Sequence, residues 1–582
     1  MEKSKDSIDK IRSKWWTVLG VILLLGFMVF QAISSLRQKS VTTDEIMYIA
    51  AGYYHLETGD FRLNMTNTPL MKMLTALPVK LTGAELPPME GNPGKWNLIE
   101  QWKYSREFHY GNSVSADRIL FMARMTVVFL AVVLGIYVFR WSRELFGLRG
   151  AFLSLFLFSF SPNILAHARL ASQDFGLAAF MLFSTYYFWQ YMKSPRLGTL
   201  ILCGILAGCA FMIKTTAMFL APIFGAFILI CIVLNNGLGI DSRFPYVNGG
   251  EKSLERRDQV ITAIFSLGII GLLTLLVINL GYGFQGSFRP LPLPEPFITM
   301  LKTQKGTVSN LGGIYFAGKL HPDGLWYLTL VSFLIKVPIP FLILLGVALA
   351  GLAVRCRQLR CEWLLIVFVG VLIFTFSFLI KSGTGLRYSL GVFPFLHVLA
   401  GSFWKIPWQR RYVNTGLLFV LGLWYLVGSL GIHPHYLAYF NESVGGAKNG
   451  YKYLTDANLD WGQDLKGLSN YMHEKGLEQI NLGYFGSADA DYYGINYKYL
   501  PSVGLRPIEE DELWWYEMKK PQPRIEPAPG TYAISSSLIA RPVWMNKIFP
   551  DTYEAFRDRE PDAQIGHSIL IFNITETEVL KQ

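Results

Sequence analysis

The chain has 582 residues, of which 52% are hydrophobic and 16% charged, a balance too apolar and too charge-poor for a soluble globular protein. The net charge of +11 does not point to nucleic acid, because the Lys and Arg residues sit in short blocks between apolar runs and form no continuous basic surface. The five cysteines, Cys203, Cys209, Cys231, Cys356 and Cys361, fall in predicted spans or short inner loops, with neither a CxxC metal spacing nor a disulfide framework.

Read from the N-terminus, a basic segment, residues 1–14, precedes an apolar run over 15–34 that is long enough to span a bilayer. The run lacks a small-x-small cleavage site, so it reads as a retained first helix and not as a signal peptide. Further apolar runs predict helices over 119–139, 151–164, 175–191, 197–213, 215–234, 260–280, 326–354, 363–380, 388–404 and 413–430. The fold class expected is an α-helical polytopic membrane protein with about eleven transmembrane helices. Threading the spans from a cytoplasmic N-terminus puts the basic blocks Arg140/Arg143/Arg149, Lys193/Arg196, Arg243/Lys252/Arg256/Arg257, Arg355/Arg357/Arg360 and Lys405/Arg410/Arg411 all inside, as the positive-inside rule requires. Residues 1–430 form the transmembrane domain and 431–582 an extracytoplasmic domain of a multi-pass inner or plasma membrane protein.

Three longer segments then lie outside: 36–117, 282–325 and 431–582. In the first, 45–56 and 69–81 have the pattern of short amphipathic helices lying along the membrane surface. The second opens with the Pro-rich stretch 289–296, which favours an extended connector. The tail alternates a helical pattern over 465–475 with strand-like runs over 480–485, 531–535 and 568–574, and predicts a small α/β domain.

Ionisable residues near a membrane are costly and usually face a cavity, a partner or a substrate. Asp44 and Glu45 follow the first helix closely, and Asp174 opens a later span beside His167 and Arg169. Paired carboxylates of this kind serve as general base and as acid or metal partner when their surroundings separate their pKa values. Helix capping explains the same placement, with Asp44 after Thr42-Thr43 and Asp174 after Ser172. Lys72, Lys214, Lys336 and Arg387 lie at the same outer level, with Arg124 a turn or two inside its helix. Cations against apolar walls suit a lipid phosphate, and snorkelling to headgroups is the alternative for any one of them. In the tail, Asp460-Trp461-Gly462-Gln463-Asp464 is suited to sugar stacking and hydroxyl bonding, or to a turn around a buried Trp.

Together Thr43-Asp44-Glu45, Asn67-Thr68-Pro69-Leu70-Met71-Lys72, Arg118 with Arg124, Ser161-Pro162 through Ala171-Ser172-Gln173-Asp174, the run to Lys214, and Leu386-Arg387-Tyr388 resemble a known family. It is the GT-C fold of membrane glycosyltransferases, of the protein O-mannosyltransferase and lipid A aminoarabinose transferase types. The resemblance implies transfer of a sugar, with inversion, from a polyprenyl-phosphate donor to a protein, lipid or glycan acceptor on the extracytoplasmic face. It implies that Asp44, with Glu45 and Asp174, forms the catalytic group, that Lys72, Arg124, Lys214, Arg387 and Tyr388 cradle the donor phosphate, and that Asp460 and Trp461 are candidates for sugar or acceptor contact. No cofactor is required by this reading; a divalent metal shared by Asp44 and Asp174 is left open. The sequence departs from the mannosyltransferases where their His-Pro-Pro becomes Asn67-Thr68-Pro69, which puts mannose recognition in question. A lipid-linked sugar flippase without chemistry is the competing reading, but it would place its charges at the midplane of both halves.

Overall fold

The computed structural model describes residues 2–89, 91–93, 95–234, 256–288, 291–310, 314–322, 324–354, 362–375, 377, 385–406, 411–503, 522–540 and 551–579. Cys356, Cys361, Arg243, Lys252, Arg289, Arg355, Arg357, Arg360, Arg410 and part of the predicted span 363–380 lie outside them. The helices run α1 (Glu2–Leu36), α2 (Glu45–Thr58), α3 (Leu70–Lys80), α4 (Leu98–Tyr110), α5 (Ala116–Ser159), α6 (Pro162–His167), α7 (Gln173–Lys193), α8 (Leu197–Ile213) and α9 (Leu220–Leu234). They continue with α10 (Arg256–Gly281), α11 (Glu295–Asn310), α12 (Leu328–Lys336), α13 (Ile339–Val354), α14 (Glu362–Phe374), α15 (Phe393–Ala400), α16 (Arg411–Gly431) and, in the tail, α17 (Leu465–Lys475).

Among the described residues, four helices are by length and composition sufficient to cross a bilayer, within α1, α5, α10 and α16, and three shorter apolar helices accompany them. Several predicted spans are broken at identifiable residues. The run 326–354 bends by 113° between α12 and α13. Val337 there is extended ahead of Pro338, as the clash with a following proline ring requires. The bend frees carbonyls that an unbroken helix would bond. Asn441 of the tail takes three of them, through its N–H to Ile335 (2.8 Å) and its Nδ2 to Leu334 (2.6 Å) and Val337 (2.8 Å), while Asn163 Nδ2 takes that of Lys336 (2.7 Å). The predicted span 119–139 and residues 151–159 of the span 151–164 share α5, kinked at Gly147, whose φ of 81° is the left-handed conformation that glycine adopts without strain, and the rest of the second span passes through the break at Ser161 into α6. The run 388–404 is a short α-helix, α15, between two 3₁₀ turns.

The tail carries a five-stranded sheet of order β4-β3-β5-β7-β6, with β3 (Ile480–Gly483), β4 (Tyr497–Tyr499), β5 (Gly530–Ser535), β6 (Ala563–Ile565) and β7 (Ile569–Ile574); a separate hairpin pairs β1 (Ile314–Phe316) with β2 (Lys319–His321). β3 is parallel to β4 and β5, and β7 is antiparallel to β5 and β6. Alternation along β3 and β5 sends Leu482 and Ala533 to one face, where Leu465, Leu468 and Met472 of α17 cover them. That core does not stop at the tail. It continues into Ile46, Ile49 and Tyr53 of α2, Ala76 and Val79 of α3, Trp102 and Phe108 of α4, and Ile119 of α5.

The segment 36–117 and the tail therefore share one core. Residues 45–55 of α2 are buried on every side, whereas the sequence suggested a helix lying on the membrane surface; the tail and α3 cover the faces that would have met lipid. A Cβ on Gly52 would sit 2.0 Å from the Lys72 carbonyl oxygen, so α2 and α3 approach backbone to backbone. α4 is an element the hydrophobic pattern did not suggest, although Asn97 and Glu100 form a capping box at its start.

Candidate active site

Four charged side chains from four separate elements meet in one cluster. Asp44 precedes α2, but its side chain makes no capping bond. Instead its Oδ2 accepts a hydrogen bond from Arg387 Nη2 (2.6 Å). Arg387, which opens a 3₁₀ turn ahead of α15, also donates from Nε to Asp174 Oδ2 (2.7 Å). Asp174, in the first turn of α7, accepts on its other oxygen from Lys214 Nζ (2.6 Å). Lys214 reaches it because the chain turns extended immediately after α8. The helix N-terminus of α7 adds to the field that keeps the Asp174 carboxylate ionised.

The cluster is graded in exposure. The Asp174 side chain is 3% exposed, Arg387 12% and Asp44 28%, so Asp44 is the end that an incoming group meets first. Two cations and two carboxylates leave the set neutral, and aromatic faces enclose it. The Arg387 guanidinium lies 4.0 Å from the centroid of the Trp461 ring, and the Lys214 ammonium 4.2 Å from that of Tyr388. Tyr48 donates to Asp44 Oδ2 (3.4 Å) and accepts from Asn67 Nδ2 (3.1 Å). Burial, with Asp44 nearby, holds the Tyr48 phenol well above its ordinary pKa, so it stays a donor.

The other candidate residues do not join this cluster. Glu45 is fully buried and forms a two-point pair with Arg124, Nε to Oε1 (2.9 Å) and Nη2 to Oε2 (2.7 Å). Glu45 also accepts from the N–H groups of Thr42 (2.9 Å) and Ala171 (2.7 Å), and Arg124 donates to the carbonyls of Leu36, Lys39 and Ser40. Burial alone would raise the Glu45 pKa, but Arg124 and these N–H groups bring it below the ordinary value. With its donors and acceptors consumed, this pair fastens the end of α1 to α2 and α5 and has no face left for a substrate. Lys72 is likewise fully buried, donating to Asn64 Oδ1 (2.8 Å) and the Asn67 carbonyl (2.9 Å), and burial lowers its pKa to about 7. It stands one layer behind the cluster, 5.7 Å from the Tyr48 ring centroid.

Asp460 is buried in the tail, accepting from the N–H groups of Ser537 (3.1 Å) and Gly462 (3.3 Å). Burial pushes its pKa up to about 7. Asp464 forms a buried ion pair with Lys39 and accepts from Ser568 Oγ (2.7 Å). Between them the backbone pairs with the segment after α1: Ser40 N–H donates to Gln463 O (3.0 Å) and Thr43 N–H to Trp461 O (3.0 Å). The Asp460–Asp464 string is thus a clasp that presses Trp461 onto Arg387. Tyr48 was missed by the sequence reasoning, although its position one helical turn after Asp44 was a usable signal. Asn458, which accepts from Leu386 N–H (3.0 Å), offered none.

The arrangement does not fit a metal bridging Asp44 and Asp174, because the Arg387 guanidinium already joins the two carboxylates. Among the described residues no group of three or more His, Cys, Asp or Glu side chains converges elsewhere.

A family model described as dolichyl-phosphate-mannose-protein mannosyltransferase matches residues 114–250, the stretch that carries Asp174 and Lys214. No curated protein sequence matches the chain. Among solved structures, ArnT from Cupriavidus metallidurans bound to undecaprenyl phosphate aligns over 96% of this chain and 97% of its own, at 13% identity and a TM-score of 0.49. The archaeal oligosaccharyltransferase AglB from Archaeoglobus fulgidus, in complex with an inhibitory peptide and a dolichol phosphate, aligns over 72% and 56%, at 13% identity and a TM-score of 0.42. The S. cerevisiae protein O-mannosyltransferase Pmt1-Pmt2 complex bound to the sugar donor aligns over 46% and 34%, at 18% identity and a TM-score of 0.33.

Proposed function

We propose that the chain is a multi-pass membrane glycosyltransferase that moves a sugar from a polyprenyl-phosphate donor to an acceptor hydroxyl on the extracytoplasmic face, with inversion at the anomeric carbon. The observation that carries the reading is the ladder Asp44–Arg387–Asp174–Lys214, assembled at the outer helix ends and open at Asp44. The mannosyltransferase family match over the helices bearing Asp174 and Lys214 supports the same class.

Inverting transfer needs an acceptor oxygen held on one face of the sugar and positive charge at the phosphate that leaves from the other. In the resting cluster Arg387 is neutralised by two carboxylates, and its bond to Asp44 is the more open of the two. A donor phosphate competes with Asp44 for Arg387; as it does so, Asp44 is released to hold the acceptor hydroxyl. Lys214, anchored on Asp174, supplies the second cation. The buried Glu45–Arg124 pair and Lys72 keep α2, α3 and α5 in the positions this exchange needs. The N-terminus is assigned to the cytoplasm and residues 431–582 to the outer side, from the basic inner loops.

Purified full-length protein, incubated with undecaprenyl-phosphate-linked mannose, glucose, galactose and aminoarabinose and an envelope extract as acceptor, is expected to transfer one of these sugars and release undecaprenyl phosphate. If no donor is consumed, the glycosyltransferase reading is wrong.

A further inference from the structure

Arg387 joins the two carboxylates of the ladder, so its own placement decides the geometry of the whole cluster. The 3₁₀ turn it opens, Arg387–Val392, starts from Leu386, which has no polar side chain with which to cap it. In a capping box a side chain from within the helix takes the N–H of the capping residue. Here the tail does so instead. Asn458 Oδ1 accepts from Leu386 N–H (3.0 Å). The same amide is fitted against the chain just ahead: Gly385 has a φ of +57°, and a Cβ there would lie 2.4 Å from Asn458 Oδ1. Three residues beyond Asn458, Trp461 lies against the Arg387 guanidinium, 4.0 Å from it to the ring centroid. One segment of the tail thus holds Arg387 beside its backbone and at its charged end.

Asn458 is itself fixed. It is buried, and its N–H and Nδ2 both donate to Thr455 O (3.4 and 3.2 Å). Its carbonyl accepts from Lys336 Nζ, which also donates to Leu437 O (3.0 Å) and lies 4.3 Å from the centroid of the Phe440 ring. Lys336 ends α12 just ahead of the bend, where Asn163 takes its carbonyl. The bent span, the tail turn and the chain entering Arg387 are therefore tied in series through Asn458.

Resting on the glycosyltransferase reading, we infer that Asn458 is a positioning residue for the transfer, through which the tail sets where the Arg387 guanidinium meets the donor phosphate. It acts through Arg387 and needs no contact with donor or acceptor. The guanidinium exchanges Asp44 for a phosphate only if its main chain stays in place while its partners change. The Leu386 bond supplies that fixed point, and Trp461 keeps the guanidinium plane aligned as it changes partners. Geometry held in advance in this way favours the bound phosphate, because less order has to be created when it arrives.

The test uses the full-length protein, the undecaprenyl-phosphate sugar that serves the wild type, and undecaprenyl phosphate alone as a binding probe. Asn458→Ala removes the acceptor of Leu386 N–H. Asn458→Ser keeps a polar side chain in the turn but is too short to make that bond. Both variants should raise the donor KM and the Kd for undecaprenyl phosphate by about 2–10-fold, with the acceptor KM unchanged. In an Arg387→Gln background, Asn458→Ala should weaken undecaprenyl phosphate binding no further, since it acts through the side chain already removed. Variants that keep the wild-type donor KM and Kd overturn the assignment. A lower rate with unchanged donor KM reduces Asn458 to a structural role and overturns it too, as does a full additional loss of binding in the Arg387→Gln background. A wild type that consumes no donor overturns the glycosyltransferase reading itself, and this assignment with it.

Discussion

Asp44 and Glu45 are neighbours in the chain, yet they belong to two different electrostatic regions. Glu45 and Arg124 are sealed at 0% exposure with their hydrogen-bonding capacity spent, whereas Asp44 and Arg387 are 28% and 12% exposed and each is held by fewer partners. Both are ion pairs between a first-segment carboxylate and an arginine far along the chain. A saturated pair is fixed and contributes to one conformation only; an unsaturated one can exchange partners, which is what a group that handles a substrate must do. The difference follows from a helical turn, because consecutive residues point about 100° apart around α2. One carboxylate enters the core shared with the tail, and the other faces outward.

The contrast breaks most sharply if function is lost at the wrong residue. Asp44→Asn should reduce sugar transfer by about 10²–10⁴-fold, with thermal unfolding unchanged, as measured on purified protein. Glu45→Gln should do the reverse. Leaving Arg124 buried without its counter-charge costs about 3–5 kcal/mol, to be seen as reduced thermal stability and yield. An E45Q protein that is as stable as the wild type but inactive would put Glu45 in the active site and erase the distinction.

A smaller effect is expected behind the open pair. Trp461→Leu removes the ring that backs Arg387, a contact worth about 0.5–2 kcal/mol. Transfer should fall by roughly 2–30-fold while the clasp's backbone bonds keep the tail docked, which limited proteolysis would report. The smallest effect concerns Asp460, whose folded pKa is raised to about 7 by burial. The unfolded chain releases this proton near the ordinary value of 3.8, so between these limits the folded state binds more protons and stability falls as pH rises. Asp460→Asn should flatten that part of the profile, so that the variant gains on the wild type by roughly a few degrees of Tm between pH 5 and 8.

Long apolar runs made most of the helices legible, because hydrophobic length and periodicity are local properties. α8 and α17 occupy the residue ranges read from the sequence, the strands β3 and β7 lie within theirs, and β5 begins one residue ahead of its own. The breaks were less legible. Pro338 signalled a bend, but its angle depends on Asn441, more than a hundred residues away, taking over the freed carbonyls. The sheet edge strands β4 and β6 are three residues each, too short to carry a pattern of their own.

By itself the sequence determined that this chain is a membrane protein, that its long apolar runs are mostly helical, and which charged residues are too costly to be idle, since composition and spacing are enough for each. Only the tertiary structure decided which of those charges meet. Asp44, Asp174, Lys214 and Arg387 share one ladder while Glu45 and Arg124 pair with each other and Lys72 bonds to Asn64 and Asn67, because pairing energies depend on distances between segments, and no segment carries its neighbours' positions. For the same reason the tail, which reads as a separate domain, shares a core with α2, α3, α4 and α5 and lays Trp461 against Arg387.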